Sequence, residues 1–387
     1  MYQGSRIGVV VPAYNEADSV GRVIETVPGF VDRVYAVDDA STDETWGEIQ
    51  RVADRINGSG TAVAAASAED GSSSEGSGPT GDGTRPAAGL HVRPLRHRQN
   101  RGVGGAIKTG YLAALEDEVD VVAVMAGDGQ MDPDLLARIV EPVAAGEADY
   151  AKGNRFTRPE NRRNVPRFRF FGNLLITALA KIASGYWTIG DSMNGFTAIS
   201  REALEAIEVE DLYESYGFCN DMLTKLNVAD RVVADVPAPI IYGDETSHID
   251  YFRFVPLGSL NLLRNFRWRL TEKYVLRDVH PIVPLYGLGV VAALLSMLQV
   301  LAAVRSRADV GPCRTSRTGR LSRAATTGLL GGLAVALAMV EDRRENESLG
   351  KVRDEVGDGG SDGGVVDRES GGGGTNRESD QSDQGYR

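Results

Sequence analysis

An α/β fold, built as an open, mostly parallel twisted sheet with helices on both faces and followed by one or two membrane-spanning helices, is the architecture the sequence predicts. Three observations predict it. Short runs rich in Val and Ile alternate with stretches of helical periodicity, acidic and turn-forming residues follow those runs, and the C-terminal third holds a long uncharged segment.

Ile7 to Val11 is the first apolar run, short and β-branched as a strand buried on both faces should be. Pro12-Ala13-Tyr14-Asn15-Glu16 ends it in a turn, Asp18 and Ser19 offer capping side chains, and Ala17 to Val27 carries Val20, Val23, Ile24 and Val27 at helical spacing. The second run, Val34 to Val37, precedes Asp38-Asp39-Ala40-Ser41-Thr42-Asp43. The third, Leu90 to Leu95, precedes Asn100-Arg101-Gly102-Val103-Gly104-Gly105-Ala106, which opens a helix over Gly105 to Leu115 with Ile107, Tyr111, Leu112 and Leu115 on one face. A fourth run, Val119 to Met125, leads into Ala126-Gly127-Asp128-Gly129-Gln130, and a fifth strand ends near Ala151, before Lys152-Gly153-Asn154-Arg155. Such alternation implies right-handed crossovers and a sheet whose ligands bind beyond the C-terminal strand ends, where these polar motifs fall.

Residues 57–88 are almost all Gly, Ser, Ala, Thr, Pro and acid, and 341–387 mixes repeated glycines with acids. Both are expected to be disordered, the first as a surface insertion and the second as an acidic tail, because neither can bury enough apolar surface to offset its ordering entropy. His280 to Val304 has no formal charge with His280 neutral and exceeds the roughly 20 residues that cross a bilayer. Arg264, Arg267, Arg269, Lys273 and Arg277 precede it, and Arg305 and Arg307 follow. Thr327 to Val340 is shorter and rich in Gly and Ala, either a second span or a packed hairpin partner. A two-span hairpin would set the basic stretch Arg305 to Arg323 opposite the α/β part, against the positive-inside tendency. Pro166 to Trp187 mixes Arg167 and Arg169 with many apolar side chains and reads either as a helix in the membrane interface or as a core helix.

A formal net charge of −12, from 42 Lys and Arg against 54 Asp and Glu, argues against a nucleic-acid partner. The two cysteines, Cys219 and Cys313, are far apart and lack nearby His, so neither a disulfide framework nor a zinc site is expected. The N-terminal residues show no basic region followed by an apolar core, so no cleaved export signal is expected and the α/β part is placed in the cytoplasm.

Among the motifs, the adjacent acids Asp38 and Asp39 repel each other, which a plain turn would not require, and both can accept hydrogen bonds from a ribose and a base N–H. The glycines of 102–105 permit close approach of a ligand, but they lack the full dinucleotide fingerprint, so a nicotinamide cofactor is not supported. Val-Val-Pro-Ala-Tyr-Asn-Glu, Asp-Asp-Ala-Ser-Thr-Asp, Asn-Arg-Gly-Val-Gly-Gly-Ala-Ile and Gly-Asp-Gly-Gln, in that order, resemble the family 2 inverting glycosyltransferases, in their dolichol-phosphate mannose/glucose synthase branch. The resemblance covers about Arg6 to Asp250.

That resemblance implies a GT-A type nucleotide-diphospho-sugar transferase fold and an inverting transfer of a hexose to dolichyl (polyprenyl) phosphate, for protein glycosylation or another cell-surface glycan. It assigns Pro12, Tyr14 and Glu16 to the nucleoside pocket, Asp39 or Asp38 to the base or ribose, and Gly195, in Asp191-Ser192-Met193-Asn194-Gly195-Phe196, to the reacting sugar. Asp128 would bind Mg²⁺ or Mn²⁺ between the donor phosphates, with Gln130 completing its surroundings. Arg155, and with it Arg169 and His248, would meet the acceptor phosphate, while Asp221 occupies the place of the acidic general base of other family 2 enzymes. The sequence departs from the pattern at Ala126, where an acid is usual; water, Asp132 or a loss of activity are the alternatives. The implied organisation is a catalytic domain over 1–240 interrupted at 57–88, a membrane-proximal loop and interfacial helix over 241–280, one or two transmembrane helices over 281–340, and the tail 341–387. Two rivals stand beside it: a transferase that extends a lipid-linked glycan or polysaccharide with Asp221 as base, and a non-catalytic nucleotide-binding membrane scaffold.

Overall fold

Each apolar run becomes a strand. In chain order the elements are β1 (Ile7–Ala13), α1 (Val20–Glu25), β2 (Arg33–Asp38), α2 (Thr45–Glu69), β3 (His91–Arg96), α3 (Val103–Glu116), β4 (Val121–Val124), α4 (Leu136–Ala144) and β5 (Tyr150–Asn154). There follow α5 (Arg167–Ser184), β6 (Thr197–Ser200), α6 (Arg201–Ala206), α7 (Phe218–Val228), β7 (Val233–Pro237), α8 (Tyr251–Thr271), α9 (Ile282–Arg305), α10 (Arg317–Glu345) and β8 (Gly350–Val352). The computed structural model describes residues 1–69, 89–155, 167–215, 217–238, 251–305 and 317–353, all within the unit Met1–Asp354; for 59–69, 167–175, 251–257 and 317–318 it describes the backbone alone.

The strands form one sheet in the order β3-β2-β1-β4-β6-β5-β7-β8. Every neighbouring pair is parallel except those made by β6, which runs against β4 and β5. Alternate side chains supply two cores, as a doubly covered sheet requires. Ile7, Val9, Val11, Val34 and Ala36 pack with Val20, Ile24, Ile49 and Ile139 on one face, and Val10, Tyr35, Val37 and Val122 pack with Ile107, Tyr111, Leu223 and Leu226 on the other. The parallel strands β1, β2, β4 and β5 all end at the same edge, which sets the site.

Four expectations need correction or sharpening. Helix α2 continues through 57–69, the first part of the segment expected to be disordered. Ala62, Ala64, Ala65, Ala66 and Ala68 supply the helix propensity that the count of small polar residues concealed; residues 70–88 lie outside the described residues. Ser19 precedes α1 without a side-chain capping bond, and its hydroxyl donates to Gly127 O at 2.7 Å. Both apolar C-terminal stretches are helices long enough to cross a membrane, α9 and the Gly319–Glu345 part of α10, packed against each other as a hairpin.

The tail does not begin at 341. Helix α10 continues to Glu345, and β8 then adds to the sheet edge beside β7, with Val233, Ala234 and Asp235 in register with Gly350, Lys351 and Val352. Fully buried Arg269 of α8 pairs with fully buried Asp342 through Nη1–Oδ1 at 2.8 Å and Nη2–Oδ2 at 3.0 Å. The same carboxylate accepts from Tyr274 Oη at 2.9 Å, Trp187 Nε1 at 3.2 Å and Asn346 Nδ2 at 3.2 Å. Buried Lys273 donates to Asn227 O at 2.9 Å and Asn346 Oδ1 at 3.0 Å, and it pairs with Asp230 at 2.8 Å. A buried charge persists when it is paired and its remaining hydrogen-bonding positions are filled, and this cluster meets that condition.

Candidate active site

The turns after β1 and β2 are built as one piece. Asn15 N–H donates to Ser41 Oγ at 3.0 Å, Glu16 N–H to Thr45 Oγ1 at 2.8 Å, and Thr42 N–H to Asn15 Oδ1 at 2.9 Å. Asn15 at φ +57° and Ala40 at φ +62° both lie in the left-handed region. For Ala40 that costs on the order of 1 kcal/mol, and the cross-links hold it there. Ser19 ties the same piece to the turn after β4 through Gly127 O. Pro12 is buried in β1, whereas Tyr14, in the turn that follows, is 46% exposed.

Asp38 and Asp39 are both buried at the end of β2. Asp38 Oδ1 accepts from Ser41 N–H at 3.0 Å, and Oδ2 lies 3.0 Å from Arg96 Nε in an ion pair without hydrogen-bond alignment. Asp39 Oδ1 accepts from Arg101 N–H at 2.8 Å and Oδ2 from Gly102 N–H at 2.7 Å. His97 Nδ1 is 2.6 Å from Asp39 Oδ1, and its Nε2 is 2.8 Å from Thr109 Oγ1. Asp39 therefore fixes the turn between β3 and α3, with His97 as a partner that the sequence reading missed. Its signal was its place directly after a strand end.

The glycines of that turn serve the chain itself. A Cβ at Gly102 would lie 2.7 Å from Glu214 O, and one at Gly104 would lie 2.5 Å from Tyr213 O. The close approach expected of a ligand is thus made by the Tyr213–Glu214 segment, whose Glu214 O accepts from Gly105 N–H at 3.1 Å. Glu214 also pairs with Arg101 and with Lys108, the latter at 2.9 Å, and this holds its carboxyl at a pKa of about 2.

Beyond β4, Asp128 is half-buried and its Oδ1 accepts from Gln130 N–H at 3.0 Å. Asp132 accepts from Asp134 N–H at 3.0 Å as the cap of a short 3₁₀ turn. Among the described residues, no group of three or more His, Cys, Asp or Glu is gathered to hold a metal.

Arg155 follows β5 and is clamped by buried Asp191, with Nε–Oδ2 at 2.5 Å and Nη2–Oδ1 at 2.9 Å. Asp235 of β7 accepts from Asn154 Nδ2 at 2.7 Å and from Gly190 N–H at 2.9 Å, and burial raises its pKa. Neither acid's clamping role was legible in the sequence. Asn194 Nδ2 donates to Gly153 O at 2.8 Å, and the neighbouring Gly195 faces Met131 of the post-β4 turn, with room for a Cβ. The structure thus gathers Pro12, Tyr14, Glu16, Asp38, Asp39, Asp128, Gln130, Arg155 and Gly195 around one set of strand ends and their linked turns.

Asp221 lies behind the Tyr213–Glu214 segment, outside the strand-end turns themselves. It sits in the first turn of α7, its Oδ2 accepts from Tyr213 N–H at 2.9 Å, and burial raises its pKa. Its pocket is lined by Glu210, Tyr213, Glu214, Asn261 and Arg264, and by none of the strand-end residues. The backbone of Arg169 lies in α5, while its side chain and all of His248 lie outside the described residues.

Three curated proteins resemble the chain at similar levels. UDP-N-acetylglucosamine–dolichyl-phosphate N-acetylglucosaminyltransferase of Methanococcus voltae is 26% identical over 237 residues, 61% of this chain and 86% of that one. Dolichol-phosphate mannosyltransferase of Pyrococcus furiosus is 23% identical over 247 residues, 62% and 56% of the two chains. Undecaprenyl-phosphate mannosyltransferase of Micrococcus luteus is 27% identical over 241 residues, 61% and 84%. Among solved structures, glucosyl-3-phosphoglycerate synthase of Mycobacterium tuberculosis, in complex with Mn²⁺, UDP and glucosyl-3-phosphoglycerate, aligns over 69% of this chain and 80% of that one at 18% identity and a TM-score of 0.44, too remote to bear on chemistry. The family model described as glycosyl transferase family 2 matches residues 8–65 and 68–208, over half of the chain and all of the strand-end motifs, and the chain belongs to that family.

Proposed function

We propose that this glycosyltransferase transfers a hexosyl group, plain or N-acetylated, from a nucleotide diphosphate sugar to a polyprenyl (dolichyl) phosphate, with inversion, at a cell membrane and from its cytoplasmic side. The observation that carries the proposal is that the strand-end crevice and two long apolar helices belong to one folded unit. The relatives' names differ in the sugar and agree on a polyprenyl phosphate acceptor, which supports the acceptor class and leaves the sugar to experiment.

In this reading Pro12 and Tyr14 flank the nucleoside, and Asp38 and Asp39 accept hydrogen bonds from its base or ribose, already aligned by Ser41, Arg101 and Gly102. A single carboxylate, Asp128, with Gln130 beside it, fits an Mg²⁺ or Mn²⁺ ion whose other ligands are donor phosphates and water. When bound, that ion neutralises charge on the departing nucleoside diphosphate. Arg155 meets the acceptor phosphate, its guanidinium plane set by Asp191, with Arg169 and His248 as further contacts.

An oxygen of the lipid phosphate, anionic at neutral pH, forms a bond to the anomeric carbon while the bond from that carbon to the diphosphate breaks. The electron pair leaves with the nucleoside diphosphate, and no proton has to move. Positioning and charge neutralisation supply the rate, so Asp221 serves the Tyr213 turn rather than the chemistry.

The test is to incubate membranes containing the protein with Mg²⁺ or Mn²⁺, dolichyl phosphate and a panel of radiolabelled nucleotide sugars, beside an Asp128→Ala control. Label extracted into organic solvent from one donor, and absent from the control, supports the proposal and names the sugar. Label that enters only a larger glycan, or nucleotide binding without any transfer, refutes it.

A further inference from the structure

We infer that α9 and α10 cross the membrane together as a two-span hairpin, with the transferase sheet and β8 on the cytoplasmic side and the connecting segment that carries Cys313 on the opposite side. The inference rests on reading both helices as membrane spans. Four observations carry it.

The first is strand pairing. Three residues of β8 pair in register with β7, so the chain that leaves α10 has returned to the sheet from which it left for α9. A single crossing, or any odd number, would put β8 on the wrong side of a bilayer from β7. The second is the buried cluster at the hairpin's base. Asp342 and Asn346, at the end of α10, are held by Arg269, Lys273 and Tyr274 ahead of α9, so the entry and exit of the hairpin lie at one level. A buried arginine and a buried aspartate are each costly alone, which makes separation of the two ends unfavourable.

The third observation is how the two helices meet and what they leave uncovered. A Cβ at Gly331 would lie 2.7 Å from Ala292 Cβ, and Ser296 Oγ donates to Ala324 O at 2.8 Å, so small residues let the two backbones approach closely. Outward, Leu288, Leu294, Leu298, Leu329, Leu330 and Leu333 are 56–75% exposed, an apolar surface that no other described part of the unit covers and that hydrocarbon fits. At about 1.5 Å per residue, the 24 residues of α9 span roughly 36 Å, enough for a hydrocarbon core of about 30 Å.

The fourth decides the orientation. The hairpin places six arginines of 305–323 on the far side, which taken alone opposes a cytoplasmic transferase. The near side has nine Lys and Arg, in 264–277 and 343–353 together, and it is the balance of the two flanks that sets topology. Residues 343–353 enter that balance only because the structure returns them to the sheet.

The two native cysteines, Cys219 and Cys313, provide the test. The Cys219→Ser variant keeps only the loop thiol; a second variant, Cys219→Ser/Cys313→Ser/Ser348→Cys, keeps only an exposed position beyond α10. Intact cells expressing either are treated with a membrane-impermeant maleimide, with and without permeabilisation, and membranes are washed with alkaline carbonate. The expected result is that Cys219→Ser labels equally before and after permeabilisation, whereas the Ser348→Cys variant labels only after it, with both retained in the washed pellet. Labelling of both variants from the same side overturns the hairpin, and the reversed pattern overturns the orientation. Release of the protein by carbonate overturns the membrane reading itself, and a soluble protein that still transfers sugar to dolichyl phosphate would separate that failure from the failure of the proposed function.

Discussion

Replacing Asp342 tests how firmly the helix hairpin is fastened to the transferase. The Asp342→Ala change leaves the Arg269 guanidinium, 0% exposed, without its counter-charge, while its bonds to Ala183 O and Ile182 O, both at 3.0 Å, remain. Breaking a buried pair from one side costs about 3–5 kcal/mol. An unfolding entropy of about 2.1 cal/mol/K per residue over Met1–Asp354 gives about 0.7 kcal/mol/K, so Tm should fall by about 4–7 °C. Arg269→Met should cost less, because Asp342 keeps Tyr274, Trp187 and Asn346 as donors. Arg269→Met combined with Asp342→Leu should be no worse than Asp342→Ala, since neither charge is then stranded. The assay heats the detergent-solubilised protein and measures the fraction that stays monodisperse by size exclusion. A Tm within about 1 °C of the parent for Asp342→Ala, or strict additivity in the double variant, would refute the account.

If the turn after β4 binds the ion as proposed, Ala126→Asp should add a second carboxylate there and lower the Mn²⁺ concentration for half-maximal transfer by about tenfold, roughly 1.4 kcal/mol; an unchanged metal titration would show that position 126 does not face the ion. Asp221→Asn should keep turnover within about tenfold of the parent, because the attacking phosphate needs no base and Asn can still accept from Tyr213 N–H; loss of nearly all turnover would favour a glycan acceptor. Arg101 and then Lys108 hold Glu214 below its unfolded pKa of 4.5, at about 2, so its contribution to stability is complete above pH 4.5 and is lost as pH falls toward 2. With Glu214 about a third exposed, the effect is small, and thermal melts should show Glu214→Gln converging with the parent at the acid end of that window; a constant gap would contradict it.

The sheet was legible because a strand buried on both faces has to be written as an apolar run, and the polar turns at its end have to follow it. Ile7 to Val11 and Val34 to Val37 say as much without any partner. What could not be read depends on residues far apart in the chain. Asp342 meets Arg269 across 73 positions and His97 meets Asp39 across 58, and no periodicity encodes either. The glycines at 102 and 104 were readable as points of close approach, but only the fold shows that Tyr213 and Glu214 are what approaches. A three-residue strand in a stretch rich in acid and glycine, such as β8, presents no pattern at all; it forms because the sheet edge of β7 is there to receive it.

The buried cluster at the hairpin's base also reaches the site. Arg269 donates to the carbonyls of Ile182 and Ala183, at the end of α5, and from there the chain passes Tyr186, whose hydroxyl donates to Arg231 O at 2.6 Å. It then reaches Gly190, held by Asp235, and Asp191, which clamps Arg155. In the proposed reaction the acceptor phosphate cannot leave the membrane surface, because its polyprenyl tail stays in the hydrocarbon. An arginine meant to meet that phosphate has to be held at a fixed height above the bilayer, and a flexible tether to an anchor would not hold it. If α9 and α10 span the membrane as inferred, a hairpin fastened through buried charges to the helix that leads into the arginine's clamp would hold it so.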